Sequence, residues 1–197
     1  MNKQSITSRP INELAQNRWS PRAFLDTPVE AEKLVSLFEA ARWSPSGGNE
    51  QPWRFILGTN KDETWQKIFS TLDAGNQEWN SSVPVLIMAV GNKISNWDGN
   101  ISGYFQYDTG QAVAHLSLEA MNQGLFVHQM GGFSVEKAME LFSIPITYLP
   151  LTVIAVGYRG QPEQLSEKLK QRELQERKRQ DLSEMVFAGK FGNSASL

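Results

Sequence analysis

The stretch Ala40-Ala41-Arg42-Trp43-Ser44-Pro45-Ser46-Gly47-Gly48-Asn49-Glu50-Gln51-Pro52-Trp53-Arg54-Phe55 decides how this chain is read. Before it runs a segment with the apolar period of a helix; after it an aromatic strand begins. Pro45 stops the helix, because the residue ahead of a proline is pushed out of the α region. Ser46, Gly47, Gly48 and Asn49 then combine small side chains, polar atoms and a permissive backbone. Such a loop is either an ordinary surface connection or a place where main-chain amides approach a flat polar ligand.

Working outward, Thr27-Pro28-Val29-Glu30 reads as a helix start, with Thr27 as cap, Pro28 at the first helical position and Glu30 completing a capping box. Val29, Leu34, Leu37, Phe38 and Ala41 carry the 3.6-residue period. Further helices are expected over Ile11 to Asn17, Asp62 to Leu72, Asp108 to Asn122 (Asp108 as N-cap, Gly124 as the stop) and Ser134 to Phe142. Trp53 to Leu57 reads as a buried strand. Val83 to Val90 is almost wholly apolar and is the central-strand candidate. Leu125 to Met130 and Pro150 to Gly157 complete the set. Gly91 to Gly103 is a polar loop, a candidate lid, with Trp97 and Tyr104 either facing a pocket or packing. Residues 1–197 form one domain, and 162–197 form a charged arm that turns apolar again at Asp181 to Phe187. Gly189 to Leu197 reads as frayed.

Several polar groups stand out. If residues 18–23 are extended, Arg18, Ser20 and Arg22 share one face while Trp19, Pro21 and Ala23 share the other. Two guanidiniums and a hydroxyl on one face suit an anion, or else form a solvated stretch. Arg177-Lys178-Arg179 is a second basic cluster. Asn76 is either a ligand contact or a turn residue. Gly131-Gly132 follows a strand and reads as a plain turn or as a place for backbone N–H groups to meet a ligand. His115 and His128 are too few for a three-histidine site.

Composition narrows the function. The net charge of −2 argues against nucleic acid as the main partner. With no cysteine, a disulfide framework, a zinc–thiolate site and a cysteine nucleophile are excluded. No apolar run is long enough to span a bilayer, and the first ten residues lack a signal-peptide core, so a cytoplasmic protein is expected. There is no P-loop, no Rossmann glycine fingerprint and no nucleophile elbow. An enzyme without these parts would rely on a bound cofactor.

Taken together the segments resemble the FMN-dependent nitroreductase family. The resemblance is carried in order by Arg18 to Phe24, by Ala40 to Ser46 continuing through Asn49 to Phe55, by Asp108-x-Gly110-x-Ala112, by Gln129 to Phe133, and by Arg177-x-Arg179 ahead of Leu182-Ser183-Glu184. It implies an α+β fold: a central mixed, largely antiparallel sheet wrapped by helices, in an intertwined homodimer whose C-terminal arm extends onto the partner. It implies FMN, with NADPH or NADH as electron donor and a nitroaromatic, quinone or activated alkene as acceptor, in a ping-pong cycle that needs no protein nucleophile and no metal. By that resemblance Arg18 and Ser20, with Arg177 and Arg179, hold the FMN phosphate, with Trp19 in the same motif, and Arg22 lies near the N1/O2 edge. Pro45, Ser46, Gly47 and Asn49 come from the other subunit to the ring. Asn76 meets the ribityl chain or ring edge, Gly131 or Gly132 presents an N–H to N5, and Gln129 and Met130 flank that turn. Two departures matter: Gly47-Gly48 stands where many members have bulkier residues, and Trp79 stands where some have a cation. A non-catalytic FMN carrier or redox sensor on the same fold is the alternative expectation.

Overall fold

In a computed structural model the described residues, 3–196, order as α1 (Glu13–Asn17), α2 (Ala31–Arg42), β1 (Trp53–Thr59), α3 (Glu63–Thr71), α4 (Ala74–Asn80), β2 (Val85–Asn92), α5 (Phe105–Asn122), β3 (Phe126–Met130), α6 (Val135–Leu141), β4 (Tyr148–Gly157) and α7 (Glu167–Leu174). The strands form one sheet in the order β1-β2-β4-β3, and all three pairings are antiparallel.

Strand β2 shows why the fold has three layers. Successive side chains point to opposite faces, and both faces of β2 are apolar. Val85, Ile87 and Ala89 join Leu34, Leu37 and Ala41 of α2 and Val113, Leu116 and Ala120 of α5. Leu86, Met88 and Val90 join Trp65, Ile68, Trp79, Ala138 and Leu169 on the other side. Each large aliphatic side chain buried this way contributes roughly 1.5–3 kcal/mol. A fully buried central strand therefore locks helices onto both faces of the sheet.

Four expectations are corrected. Helix α2 begins at Ala31, not at Pro28, because Glu30 keeps an extended backbone and caps nothing with its side chain. Its carboxylate instead accepts a 2.6 Å hydrogen bond from the Tyr158 hydroxyl. Helix α5 begins at Phe105, so Asp108 lies inside the first turn rather than at the cap. Phe105 finds a socket over Gly91, where a Cβ would come within 2.7 Å of its ring. Strand β1 is not a buried strand; it is a sheet edge, paired among the described residues with β2 alone, and its Arg54 and Leu57 are exposed. The tail is not frayed over 189–196. Phe187 bridges to Ser194, Ala195 N donates to Val186 O, and Phe187 packs on Phe191; Leu197 lies outside the described residues.

The remaining strands shift by a residue or two. β4 starts at Tyr148, and a bulge between Ala89 and Val90 brings Pro150, which has no N–H to donate, into the ladder.

Candidate functional site

The extended segment after α1 and the end of α7 meet in one cleft. Arg18, Trp19, Ser20 and Arg22 line it from one side, and Arg172, Gln175, Glu176, Arg177 and Arg179 from the other, with Lys3 closing the rim. The cleft has a volume of about 250 Å³. Its six cationic side chains face a single lining acid, Glu176. The crowding is felt by the groups themselves. Burial, then the neighbouring Arg179, pulls Arg18 below its usual range. Burial, then Arg18 and Arg179, does the same to Arg177. Lys3 is lowered by burial, with Arg177 and Arg22 adding to the effect against the opposing pull of Glu173. Like charges held this close are stabilised when an anion sits among them.

The cleft is held in shape by contacts that sequence reading missed. Glu173 is only 2% exposed. Its carboxylate accepts from Arg22 N at 3.0 Å and from Ala23 N at 3.3 Å, which ties α7 to the arginine-bearing segment. A glutamate in a charged helix reads as solvated; its one signal is the four-residue step from Leu169, which is also buried on α7. Arg177 Nη1 donates to Lys3 O at 2.8 Å and Gln16 O at 2.9 Å, and Lys3 Nζ donates to Gln175 O at 2.6 Å. The Lys3 ammonium also lies 4.7 Å over the Trp19 ring, which packs at a steep angle against Phe126.

His128 links this segment to β3. Its Nδ1 is 2.7 Å from Pro21 O, which only accepts, so Nδ1 carries the hydrogen. The ring packs on Trp79 at 4.6 Å. Burial pushes His128 down to about 4, with Arg22 contributing and the Pro21 hydrogen bond opposing. Trp79 itself is buried and stacks on Phe24.

At the far end of β3, Asn76 meets the glycine turn. Asn76 Nδ2 donates to Gly132 O at 2.9 Å, and Asp73 N donates to the same oxygen at 3.0 Å. A Cβ on Gly132 would meet Asn76 Nδ2 and Asp73 Oδ2 at 2.8 Å, so a side chain there would displace these two polar groups. At Gly131 the same position is open. The flanking residues diverge. Met130 is buried in the core beside Asn80, whereas Gln129 is exposed, bonds Ser117 Oγ at 3.2 Å and faces a small cavity with Thr109, Gly110 and Thr152.

Pro45, Ser46, Gly47 and Asn49 do not join the cationic cleft. They form a separate turn whose Gly47 N donates to Asp108 Oδ2 at 3.0 Å; Gln51 N donates to Ser46 Oγ at 3.0 Å. Gly48 and Asn49 have positive φ angles of 55° and 56°. This turn and the loop from Ser95 to Tyr104 enclose a second cavity of about 390 Å³. The loop is an ordered hairpin: Ile94 bridges to Ile101, and Ser102 N donates to Lys93 O at 2.7 Å.

Among the described residues no helix is long and apolar enough to cross a membrane, and no cluster of three metal-ligating side chains occurs.

Comparison with known proteins agrees with this architecture. A sequence model of the Nitroreductase family matches residues 15–158. The chain is similar to a crystal structure described as an oxidoreductase containing FMN, with a TM-score of 0.91, 31% identity and 98% of each chain covered. It is 36% identical over 159 residues to a Streptomyces coelicolor protein provisionally named NADH dehydrogenase/NAD(P)H nitroreductase, covering 71% of this chain and 78% of that one. A 15.4 kDa Mycolicibacterium smegmatis protein described as uncharacterized is 29% identical over 148 residues, covering 71% of this chain and 98% of its own length.

Proposed function

This chain belongs to the Nitroreductase family, and we propose that it is an FMN-dependent NAD(P)H oxidoreductase acting as a homodimer. The observation that carries the reading is the cleft where Arg18, Arg22, Arg177 and Arg179 converge from opposite ends of the chain. A donor set of guanidiniums with the Ser20 hydroxyl fits a phosphate dianion and needs no P-loop.

In this reading Arg18, Ser20, Arg177 and Arg179 hold the FMN phosphate, and Lys3 and Arg172 add positive charge at the rim. Arg22 places a cation near the N1/O2 edge, where it favours the anionic reduced form. Asn76 and the Gly131-Gly132 turn face the ribityl and N5 side. Pro45, Ser46, Gly47 and Asn49 of the partner subunit cover the ring. That division of labour accounts for their distance from the cleft of their own chain. When bound, the flavin supplies hydride acceptance from NAD(P)H and hydride donation to an acceptor at N5. The protein's own task is to bind, orient and exclude water, and no side chain acts as a nucleophile. Donor and acceptor use the same face in turn, and the acceptor is a nitroaromatic, quinone or activated alkene.

The dimer is supported by an exposed apolar surface on the arm and by a small-residue stripe on α5. Along α5, Tyr107, Gly110 and Ala114 are exposed at helical spacing. On the arm, Leu182, Met185 and Phe191 are exposed, Phe191 at 96%. Surfaces of this kind mark interaction sites.

The test is the visible spectrum of the purified protein before and after anaerobic NADPH or NADH. Flavin bands near one per chain, bleached by either nucleotide, are expected, and Arg18→Ala should lose at least about tenfold in FMN affinity. Unchanged flavin content in that variant would sink the phosphate assignment. Bound flavin that neither nucleotide reduces would favour a carrier or sensor.

A further inference from the structure

We propose that the cavity between the Gly47–Asn49 turn and the 93–104 loop is the acceptor subsite, with Trp97 as its stacking platform, and that it selects aromatic acceptors bearing a positive charge. The inference rests on the oxidoreductase reading above, in which this turn lies against the partner's flavin.

Trp97 is 79% exposed, yet its indole packs against the turn. One side of the indole lies on Gly48, where a Cβ would fall 2.7 Å from Nε1, 2.8 Å from Cε2 and 2.9 Å from Cζ2. A side chain at this position would be strained by the positive φ and would push the indole away, so the glycine lets Trp97 come close to the turn. The loop is braced beneath it. Ser95 Oγ donates to Glu50 Oε1, Asn96 N donates to the same oxygen at 3.1 Å, and Trp97 N donates to Ser95 Oγ at 3.2 Å. An indole that rests against the turn and stays largely open to solvent offers a preorganised surface for a flat ring. Ile101 and Tyr104, exposed at 73% and 68%, extend the apolar wall.

The charge of the cavity decides which flat rings it prefers. Glu50, Asp98 and Asp108 line it, and no lysine or arginine is among its lining residues. Asp98 is held below the usual carboxylate range, chiefly by the hydrogen bond from Asn100 N, so it is ionised at neutral pH. A cation above the indole gains from the ring's quadrupole and from the carboxylates, whereas an anionic substituent is opposed by the three lining carboxylates. The phosphate cleft carries the opposite sign, so the two cavities sort anions and cations between cofactor and acceptor.

The test uses the flavin-loaded dimer with three nitrobenzenes that differ only in the para substituent: trimethylammoniomethyl, hydroxymethyl and carboxylate. Each takes two electrons by ArNO2 + NADPH + H⁺ → ArNO + NADP⁺ + H2O, so the nitro nitrogen is reduced, the nicotinamide oxidised and one oxygen leaves as water. The expected order of kcat/KM is cation over neutral over anion, with at least about tenfold between the extremes, carried mainly by KM and shrinking in about 0.5 M salt. Asp98→Asn should narrow the spread. Calorimetric titration of the oxidised protein with the cationic compound, without nucleotide, should give a Kd that Trp97→Ala weakens about tenfold. Equal or reversed preference, or a Kd unmoved by Trp97→Ala, would overturn the subsite while turnover of menadione, an uncharged quinone, continued. Wild-type protein that reduces no acceptor, menadione included, fails the oxidoreductase reading itself and removes the basis of the subsite with it.

Discussion

His128 shows how one side chain couples the sheet to the cationic cleft. Its ring fills the space between Trp79 and the Pro21 carbonyl, and burial holds its proton affinity at about 4 against an ordinary 6.5. Above pH 6.5 the ring is neutral whether the chain is folded or not. As pH falls from about 6.5 to about 4, the unfolded chain takes up a proton that the folded one refuses. Stability should therefore decline over that window by up to about 3 kcal/mol and level off below it. His128→Gln keeps a donor for Pro21 O and removes the titration. Urea titrations at several pH values should show wild type losing stability relative to this variant on acidification. Parallel curves would mean that His128 is not buried as a neutral ring.

At the scale of elements, the C-terminal arm behaves differently from the rest. Beyond Gln180 the described hydrogen bonds run within the arm itself, as from Ala188 N to Asn193 O and from Ala195 N to Val186 O. It carries exposed Leu182, Met185 and Phe191 without a surface of its own chain to cover them. Truncation after Gln180 should leave the three-layer core folded and convert the protein to monomer, read by light scattering behind a sizing column. A truncated chain that still runs as a dimer would move the main contact to α5. The remaining elements follow local chemistry. Asp62 and Ser134 cap α3 and α6 through side-chain bonds to Trp65 N and Lys137 N, the second as its position in the sequence predicts. The start of α5 does not, because the seat of Phe105 over Gly91 adds a turn that no capping signal announces.

For the molecule as a whole, the proposed site is divided between two chains. Cofactor retention and assembly should then be one equilibrium. Serial dilution of the flavin-loaded protein should release FMN over the same concentration range in which the mass falls from twice the 22.2 kDa chain to one. Flavin fluorescence and analytical ultracentrifugation measure the two sides. Full flavin occupancy in a monomer would show that one chain completes the site alone.

The sequence by itself determined the order of the four strands and of most helices, though not the helices at Ala74–Asn80 and Glu167–Leu174, together with the apolar central strand and the residue types of the arginine motifs and glycine turns. These depend on period, capping and backbone freedom, which act over a few residues. Its family resemblance set the expectation that Arg18 and Arg177 share a phosphate site, and the structure brings both to one cleft. Only the tertiary structure decided that Glu173 would be buried to tie their two segments together, that Asp108 would receive Gly47 N rather than cap a helix, and that Trp97 would lie on Gly48. Each of these is a contact between residues far apart in the chain, and a side chain's partner across such a distance is set by the packing of the whole core rather than by its neighbours in sequence.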